Sequence, residues 1–272
     1  MAAEQQRTIE TDGRRFAWRA LGAGEPLLLI NGYAASSADW DPMLLGALAR
    51  SFELICPDNR GVGGSELGDR EELTVDAMAD DLERLLDALA LGRAPVAGWS
   101  MGGYVAQRLA QRSPERVTAL VLLATGPGGS RATQADPAVI EALFDHSGTP
   151  REQASRLISL LFPAGVAERV DEQFGELVAQ ARATLSPDTL AAQERALGEW
   201  LSTDQPAPGA DAPPTLVVGG ELDRIALAEN SRALARLWPH ASLELIAGGG
   251  HALMAQEPER VARLIAAFVR EA

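Results

Sequence analysis

The stretch Ala94-Pro-Val-Ala-Gly-Trp-Ser-Met-Gly-Gly103 is the most informative part of the chain. Its first four residues form an apolar run typical of a buried strand, and the residues from Gly102 onward predict a helix. Gly98 and Gly102 stand two positions before and after Ser100, where a strained turn requires neighbours without bulk. This G-x-S-x-G pattern between a strand and a helix predicts a serine nucleophile beside free helix N–H groups. A glycine-rich turn without chemistry could carry the same five residues, but the flanking elements favour the nucleophile.

The rest of the chain alternates between strand-like and helix-like segments. Helices are predicted most clearly over 75–91 and 258–270, because their apolar residues fall on one helical face. Residues 7–10 and 15–18 flank Thr11-Asp12-Gly13, which predicts an antiparallel hairpin with its turn at Asp12 and Gly13. The alternation predicts a mostly parallel sheet covered by helices on both faces. The predicted strands of this sheet are 26–30, 52–56, 94–97, 117–123, 215–218 and 243–246.

One long region carries no strand-like run. Glycine-rich and proline-rich linkers at 126–130 and 205–214 bound it. We therefore predict a core formed by residues 1–125 and 214–272, with residues 126–213 inserted as a helical cap. The helices predicted within this insert are 139–146, 152–161, 166–185 and 188–201.

Composition excludes several classes of function. The chain has 38 acidic and 24 basic residues, a net charge of −14, and no basic run, so we expect neither nucleic acid nor an anionic membrane surface as a partner. Every basic residue is arginine. A Schiff-base mechanism, a pyridoxal-phosphate site and a Walker A loop are therefore excluded, because each needs a lysine amine.

Cysteine usage and the apolar runs bear on the compartment. The single cysteine, Cys56, cannot form an internal disulfide and is predicted to be a buried apolar residue. The N-terminal residues lack the pattern of a signal peptide, and the longest apolar run is far shorter than the roughly 20 residues that span a bilayer. We expect a soluble, cytoplasmic protein.

The chain offers one well-placed base for the serine. Of its three histidines, His251 follows Gly248-Gly-Gly250 directly after a predicted strand, where a flexible loop can bring the imidazole across the strand ends. His146 in the helical insert and His240 at a strand entry are predicted to be surface or packing residues. A serine needs such a base to become a nucleophile, and His251 is our candidate.

Two acids follow the strand at 215–218. Glu221 and Asp223 are the alternatives for the third member of a triad. We prefer Asp223, which lies in a loop with room to reach back to the imidazole, and expect Glu221 to be a solvated neighbour. The order Ser100, Asp223, His251 is that of nucleophile, acid and base in α/β-hydrolases.

Together these segments resemble the α/β-hydrolase superfamily, and specifically its small, cap-bearing, cofactor-free members. The resemblance rests on the serine motif, on Asn31-Gly32-Tyr33, on Asp58-Asn-Arg-Gly-Val-Gly63 and on the acid and histidine segments. It implies a mostly parallel eight-stranded sheet with helices on both faces and an inserted helical cap. Two departures stand out. Asn31 replaces a common histidine, which should adjust the loop without abolishing it, and Arg224-Ile-Ala stands where relatives often carry a proline.

The resemblance also implies a mechanism. Ser100 would attack a carbonyl carbon, His251 would carry the proton, and Asp223 would hold the imidazole. The backbone N–H groups of Tyr33 and Met101 would bind the oxyanion, and water would release the acyl-enzyme. No metal or organic cofactor is implied. A serine at this position argues against haloalkane dehalogenases and epoxide hydrolases, which use aspartate.

We therefore predict a serine hydrolase acting on a small to medium, mostly neutral carboxylic ester or lactone. The alternatives are a carbon–carbon bond hydrolase or enol-lactonase of aromatic degradation, or a ligand-binding protein of the same fold with slow turnover. Apolar residues of the loops and the insert are each predicted to pack, and together they suggest an apolar pocket over the serine. These residues are Trp40, Phe144, Phe162, Phe174, Trp200, Leu253 and Met254.

Overall fold

The computed structural model describes residues 5–11 and 13–272 and arranges eight strands in one sheet. The predicted hairpin is present, but its turn residue Asp12 lies outside the described residues. The strands are β1 (Gln5–Thr11), β2 (Arg14–Gly22), β3 (Glu25–Ile30), β4 (Phe52–Pro57), β5 (Ala94–Trp99), β6 (Val117–Leu123), β7 (Thr215–Gly220) and β8 (Ala241–Ile246).

The strand order is β1-β2-β4-β3-β5-β6-β7-β8. Strand β2 pairs antiparallel with β1 and β4, and the other neighbours pair in parallel. After β4 the chain crosses to the other side of β3 and adds β5 there, so the order in which strands are added to the sheet reverses between β3 and β5. In an open parallel sheet the crevice at such a switch point, beyond the carboxyl ends of the strands, is where ligands bind.

Both faces of the sheet are buried, which explains why its strands are continuous apolar runs. Leu28 and Ile30 of β3 point into one apolar core, and Leu27 and Leu29 point into the other. Helices therefore cover both sides, as the sequence predicts. The edge strand β8 alternates between half-buried and exposed residues along most of its length, because one of its two faces is open to solvent.

Ten α-helices accompany the sheet among the described residues. Three of them, α1, α8 and α9, are not predicted from the sequence, although Asp41 caps α1 and Pro42 begins it, an arrangement typical of helix starts. The helices are α1 (Pro42–Leu48), α2 (Val75–Ala88), α3 (Met101–Arg112), α4 (Pro137–Leu143), α5 (Pro150–Leu161), α6 (Ala164–Ala183), α7 (Pro187–Ser202), α8 (Ala228–Leu237), α9 (Leu253–Gln256) and α10 (Pro258–Glu271).

The helical segment, residues 126–213, is fully described and contains α4 to α7 but no strand. Three of its helices begin in the same way, with a polar cap residue followed by proline. The side chains of Asp136, Thr149 and Ser186 each accept a hydrogen bond from a backbone N–H of the first helical turn. The observed helices lie within a few residues of the predicted ones, but α4 ends at Leu143, so His146 lies in the following loop and not in a helix.

The structure bears on two predictions, the burial of Cys56 and the lack of a segment that spans a membrane. Cys56 is fully buried in β4, as expected for a small apolar residue. Within the described part of the chain, no helix combines the length and the apolar character needed to cross a bilayer.

The turn between β5 and α3 is the tightest part of the sheet. Ser100 has φ of 54° and ψ of −120°, a left-handed conformation that costs free energy in any residue with a Cβ. A Cβ at Gly98 would overlap the Gly102 carbonyl, and a Cβ at Gly102 would overlap the Ile30 carbonyl and lie 2.6 Å from the Asn31 oxygen. The two glycines of the motif are therefore required by backbone packing.

We expect Gly102→Ala to lower the free energy of unfolding by about 2 to 3 kcal/mol, because its methyl group would displace the carbonyls at the end of β3. Urea unfolding followed by circular dichroism would measure the change.

Gly46→Ala is a matched control. Gly46 lies within α1, and nothing stands within 4 Å of the position its Cβ would take. Alanine there should raise the free energy of unfolding by about 0.5 to 1 kcal/mol. Equal urea midpoints for the two variants would contradict the packing argument.

Candidate active site

Ser100 lies in the strained turn at the carboxyl end of β5, where two hydrogen bonds fix its backbone. Its N–H donates to the Leu123 carbonyl at 3.0 Å, and its carbonyl accepts from the Thr125 hydroxyl at 2.9 Å. Both partners belong to the end of the neighbouring strand β6 or the loop after it. The side-chain oxygen is therefore fixed at the edge of the sheet where the strands end.

His251 meets this serine from the loop after β8. Its Nε2 lies 2.9 Å from Ser100 Oγ, and the histidine is only 3% exposed. Trp99 holds it from two sides, since its Nε1 donates to the His251 carbonyl at 2.9 Å and its ring packs against the imidazole at 5.4 Å between centroids. The sequence contains no local sign of this contact, which joins residues 152 positions apart.

Gly250, which directly precedes His251, allows close packing of the loop. A Cβ at Gly250 would lie 2.7 Å from the Leu161 carbonyl and 2.9 Å from Pro163, at the end of α5 and the start of α6. The backbone N–H of Ala252, which follows His251, donates to the same Leu161 carbonyl at 3.0 Å. The loop is thus held against the helical segment.

The structure brings Asp223, and not Glu221, to the imidazole. Asp223 Oδ2 lies 2.9 Å from His251 Nδ1, while Oδ1 accepts from the N–H groups of Ile225 and Ala226 at 2.8 and 2.9 Å. Asp223 is 3% exposed, whereas Glu221 faces solvent. The backbone N–H groups of Ile225 and Ala226 therefore fix the carboxylate.

These contacts define which ring nitrogen carries the proton. A carboxylate can only accept hydrogen bonds, so His251 Nδ1 donates to Asp223. Nε2 then presents its lone pair to the Ser100 hydroxyl, which donates to it. The hydrogen-bond chain from Asp223 through His251 to Ser100 can withdraw a proton from the serine when its oxygen attacks an electrophile.

The loop after β3 packs directly on the serine. A Cβ at Gly32 would lie 3.2 Å from Ser100 Cβ and 3.1 Å from the Trp99 ring. Asn31, which is buried, shapes this loop, because its Oδ1 accepts from the Gly32 N–H at 2.9 Å and its Nδ2 donates to the Ser36 carbonyl at 2.7 Å. An asparagine at this position therefore organises the loop, in line with the expectation that it adjusts the loop without abolishing it.

Two backbone N–H groups remain near the serine without an acceptor. Tyr33 follows Gly32 in this loop, and Met101 begins α3, where the first helical N–H groups have no intrahelical partner. Over residues 5–11 and 13–272, neither N–H donates to a protein acceptor. Neither N–H is therefore occupied by a protein group.

The other two histidines differ from each other. His240 is exposed at the start of β8, as predicted. His146 is half-buried and bonded: its Nε2 lies 2.6 Å from Glu194 Oε1, and Glu194 also accepts from the Tyr33 hydroxyl at 2.6 Å. Neither Glu194 nor its contact with the loop at Tyr33 is predicted from the sequence, because the residues are 161 positions apart and no motif marks them.

Most of the apolar residues expected to pack do so. Trp200 stacks on Tyr104 with 5.5 Å between ring centroids, and Phe144 packs edge-on against Tyr33 at the same distance. The prediction is wrong for Phe174 of α6, which is 44% exposed. The other four residues are buried in the apolar core into which Leu27 and Leu29 of β3 point: Trp40, Phe162, Leu253 and Met254.

The described residues hold no cluster of three or more His, Cys, Asp or Glu side chains that could bind a metal ion.

The fold and the strand–turn–helix arrangement at Ser100 are typical of alpha/beta hydrolases. A family model described as alpha/beta hydrolase fold matches residues 25–258. The chain therefore belongs to the alpha/beta hydrolase fold family, and the resemblance inferred from the sequence is confirmed.

Relatives within the family carry different activities. The chain is 30% identical over 275 residues to a 2-hydroxymuconate semialdehyde hydrolase of Pseudomonas sp. strain CF600, covering 98% of this chain and 94% of the relative. It is 27% identical over 264 residues to a pimeloyl-[acyl-carrier protein] methyl ester esterase of Photobacterium profundum, covering 93% and 98%. The solved structure of a thermophilic esterase from Thermogutta terrifontis matches with a TM-score of 0.78 and 28% identity, over 98% of both chains.

We expect Asp223→Asn to lower kcat by at least about 100-fold, because the amide can donate to Nδ1 and stabilise the wrong tautomer. Steady-state kinetics with a p-nitrophenyl ester would measure the loss. Glu221→Gln is the matched control, since it changes the same charge two residues away at an exposed position. A larger loss in Glu221→Gln than in Asp223→Asn would show that the acid is misassigned.

Proposed function

We propose that this protein is a serine hydrolase that cleaves a small to medium, mostly neutral carboxylic ester or lactone through an acyl-enzyme on Ser100. The observation that carries the proposal is the continuous hydrogen-bond chain from Asp223 through His251 to the Ser100 hydroxyl, with contacts of 2.9 Å at both ends of the imidazole. A buried chain of this kind has no structural task that an apolar cluster would not fulfil at lower cost.

The mechanism follows from the positions of these groups. As Ser100 Oγ attacks the carbonyl carbon, His251 Nε2 takes its proton, and the Asp223 carboxylate stabilises the imidazolium. The negative charge that develops on the carbonyl oxygen is bound by the N–H groups of Tyr33 and Met101, each worth about 100- to 1000-fold in rate. His251 then protonates the leaving group, and water, activated by the same nitrogen, hydrolyses the acyl-enzyme.

An ester substrate is supported by two of the similarities. The relatives from Photobacterium profundum and Thermogutta terrifontis are both named esterases, and each is aligned over more than nine tenths of this chain. The net charge of −14 favours a neutral substrate over one with several negative charges.

A second candidate is hydrolysis of a carbon–carbon bond next to a carbonyl group. The similarity to the 2-hydroxymuconate semialdehyde hydrolase, which extends over 98% of this chain, favours it. The same triad and oxyanion donors would serve this reaction, because the attack is again on a carbonyl carbon. The two candidates differ in the leaving group, which is carbon in one and oxygen in the other.

We expect Ser100→Ala to lower turnover of p-nitrophenyl esters by at least about 10,000-fold while the protein stays folded, and His251→Ala to do nearly the same. The wild type should form a single covalent adduct with a fluorophosphonate probe, detected by intact mass, that Ser100→Ala does not form. Ser130→Ala, which changes an exposed serine, should keep both the adduct and the activity.

Further outcomes separate the candidates. Turnover that peaks at one acyl-chain length between acetate and dodecanoate would support the ester hydrolase and measure its pocket. Faster hydrolysis of 2-hydroxymuconate semialdehyde than of any ester would favour the carbon–carbon hydrolase. Unchanged activity in Ser100→Ala, or no adduct on a folded wild type, would refute the acyl-enzyme, and the latter would favour a ligand-binding protein.

A further inference from the structure

Tyr33 is held at both ends, by its backbone in the oxyanion loop (residues 31–34) and by its hydroxyl on the helical segment. The hydroxyl donates to Glu194 Oε1 of α7 at 2.6 Å, and Phe144 packs against the ring at nearly a right angle. Burial, reinforced by the bond to Glu194, raises the pKa of the Tyr33 hydroxyl far above its usual range, so it stays protonated and donates. The ring cannot swing without breaking this contact.

The neighbouring residue of α7 holds the next residue of the loop. Ala34 has φ of 55°, which is unfavourable for a residue with a Cβ. Its N–H donates to Gln193 Oε1 at 2.8 Å, and Gln193 Nε2 donates to the Arg60 carbonyl at 3.0 Å. Gln193 is completely buried, so its amide has no competing water, and it keeps Ala34 in the strained conformation.

Glu194 is itself fixed by further contacts. Its Oε1 also accepts from His146 Nε2 at 2.6 Å, since a carboxylate oxygen has no proton to donate. On the far side of the ring, Arg182 Nη2 lies 3.3 Å from His146 Nδ1, which accepts from it. The hydrogen-bond chain from Arg182 through His146 and Glu194 to Tyr33 contains a cation and an anion and is half-buried, where such bonds are stronger than in water.

We propose that Gln193 and Glu194, consecutive residues of α7, are positioning residues that hold the Tyr33 N–H where it binds the oxyanion. Gln193 acts on the Ala34 backbone and Glu194 on the Tyr33 side chain. The inference rests on the oxyanion role proposed above for Tyr33. It assigns to the helical segment a part in the chemical step, in addition to any contact it makes with substrate.

The physical reason is that an oxyanion donor works only where the charge develops. A displacement of about 1 Å in a reacting group can reduce a rate about 100-fold. The Tyr33 N–H follows Gly32, which has no side chain to anchor it, and precedes the strained Ala34. Without the contacts from α7, we expect Ala34 to relax toward a negative φ and to move the Tyr33 N–H away from Ser100.

The test uses variants that keep the shape of the site. Tyr33→Phe removes only the hydroxyl and leaves the backbone N–H, Glu194→Ala removes the acceptor, and Gln193→Leu removes the amide at similar volume. We expect each to lower kcat for p-nitrophenyl esters about 10-fold or more with KM changed less than about two-fold. Glu194→Gln, which keeps an acceptor oxygen, should recover most of the rate. Glu199→Gln, an exposed change on the same helix, is the control and should match the wild type.

A transition-state analogue separates positioning from a general loss of structure. A trifluoromethyl ketone forms a hemiketal oxyanion on the serine, so its affinity should fall by the same factor as kcat/KM in Tyr33→Phe and Glu194→Ala. The double variant should be no slower than the slower single variant, because both changes break one contact. Circular dichroism and the rate of fluorophosphonate labelling at Ser100 would be measured on every variant.

Three results would overturn the inference while leaving the proposed function intact: unchanged kcat in Tyr33→Phe and Glu194→Ala, a rise in KM alone, or additive losses in the double variant. In each of these cases the wild type would still be labelled by the probe and would still hydrolyse the ester. A wild type that is folded but neither labelled nor active would refute the proposed function, and the positioning role with it.

Discussion

The strained turn at Ser100 is the constraint on which the rest of the site depends. Its φ of 54° places the serine side chain at the end of the central strand β5 and starts α3 immediately afterwards. The same turn brings the glycine backbone of α3 against the carbonyls that end β3, where no side chain fits. Ser100, the first helical N–H and the loop at residues 31–34 are therefore positioned by one packing arrangement, whose strain is compensated by the sheet around it.

The helical segment contributes to this arrangement as well as covering part of the core. It is bonded to the loop of His251 through the Leu161 carbonyl and to the oxyanion loop through Gln193 and Glu194. The two loops that carry His251 and Tyr33 are thus held from the same side. Under the proposed mechanism, a change in the position of the segment would alter the rate through these contacts.

The core of the site is suited to one chemical step that several reactions share. Attack on a carbonyl carbon, stabilisation of an oxyanion and proton transfer by the imidazole serve esters, lactones and activated carbon–carbon bonds alike. Relatives named for different activities fit this view, because function depends on the shape and polarity of the surroundings and not on the fold. In this chain those surroundings include the half-buried polar chain at His146 and Glu194.

The sequence by itself determined the strands and the sheet class and identified Ser100, Asp223 and His251 as candidate site residues, because apolar runs and short glycine motifs are local features. It left α1, α8 and α9 unpredicted, and it could only favour Asp223 over Glu221. Tertiary structure decided which acid meets the imidazole, that Trp99 holds His251, and that Gln193 and Glu194 hold the oxyanion loop. These contacts join residues more than a hundred positions apart, or choose between near neighbours by burial. No local pattern encodes such contacts, since they form only when the sheet and the helical segment come together.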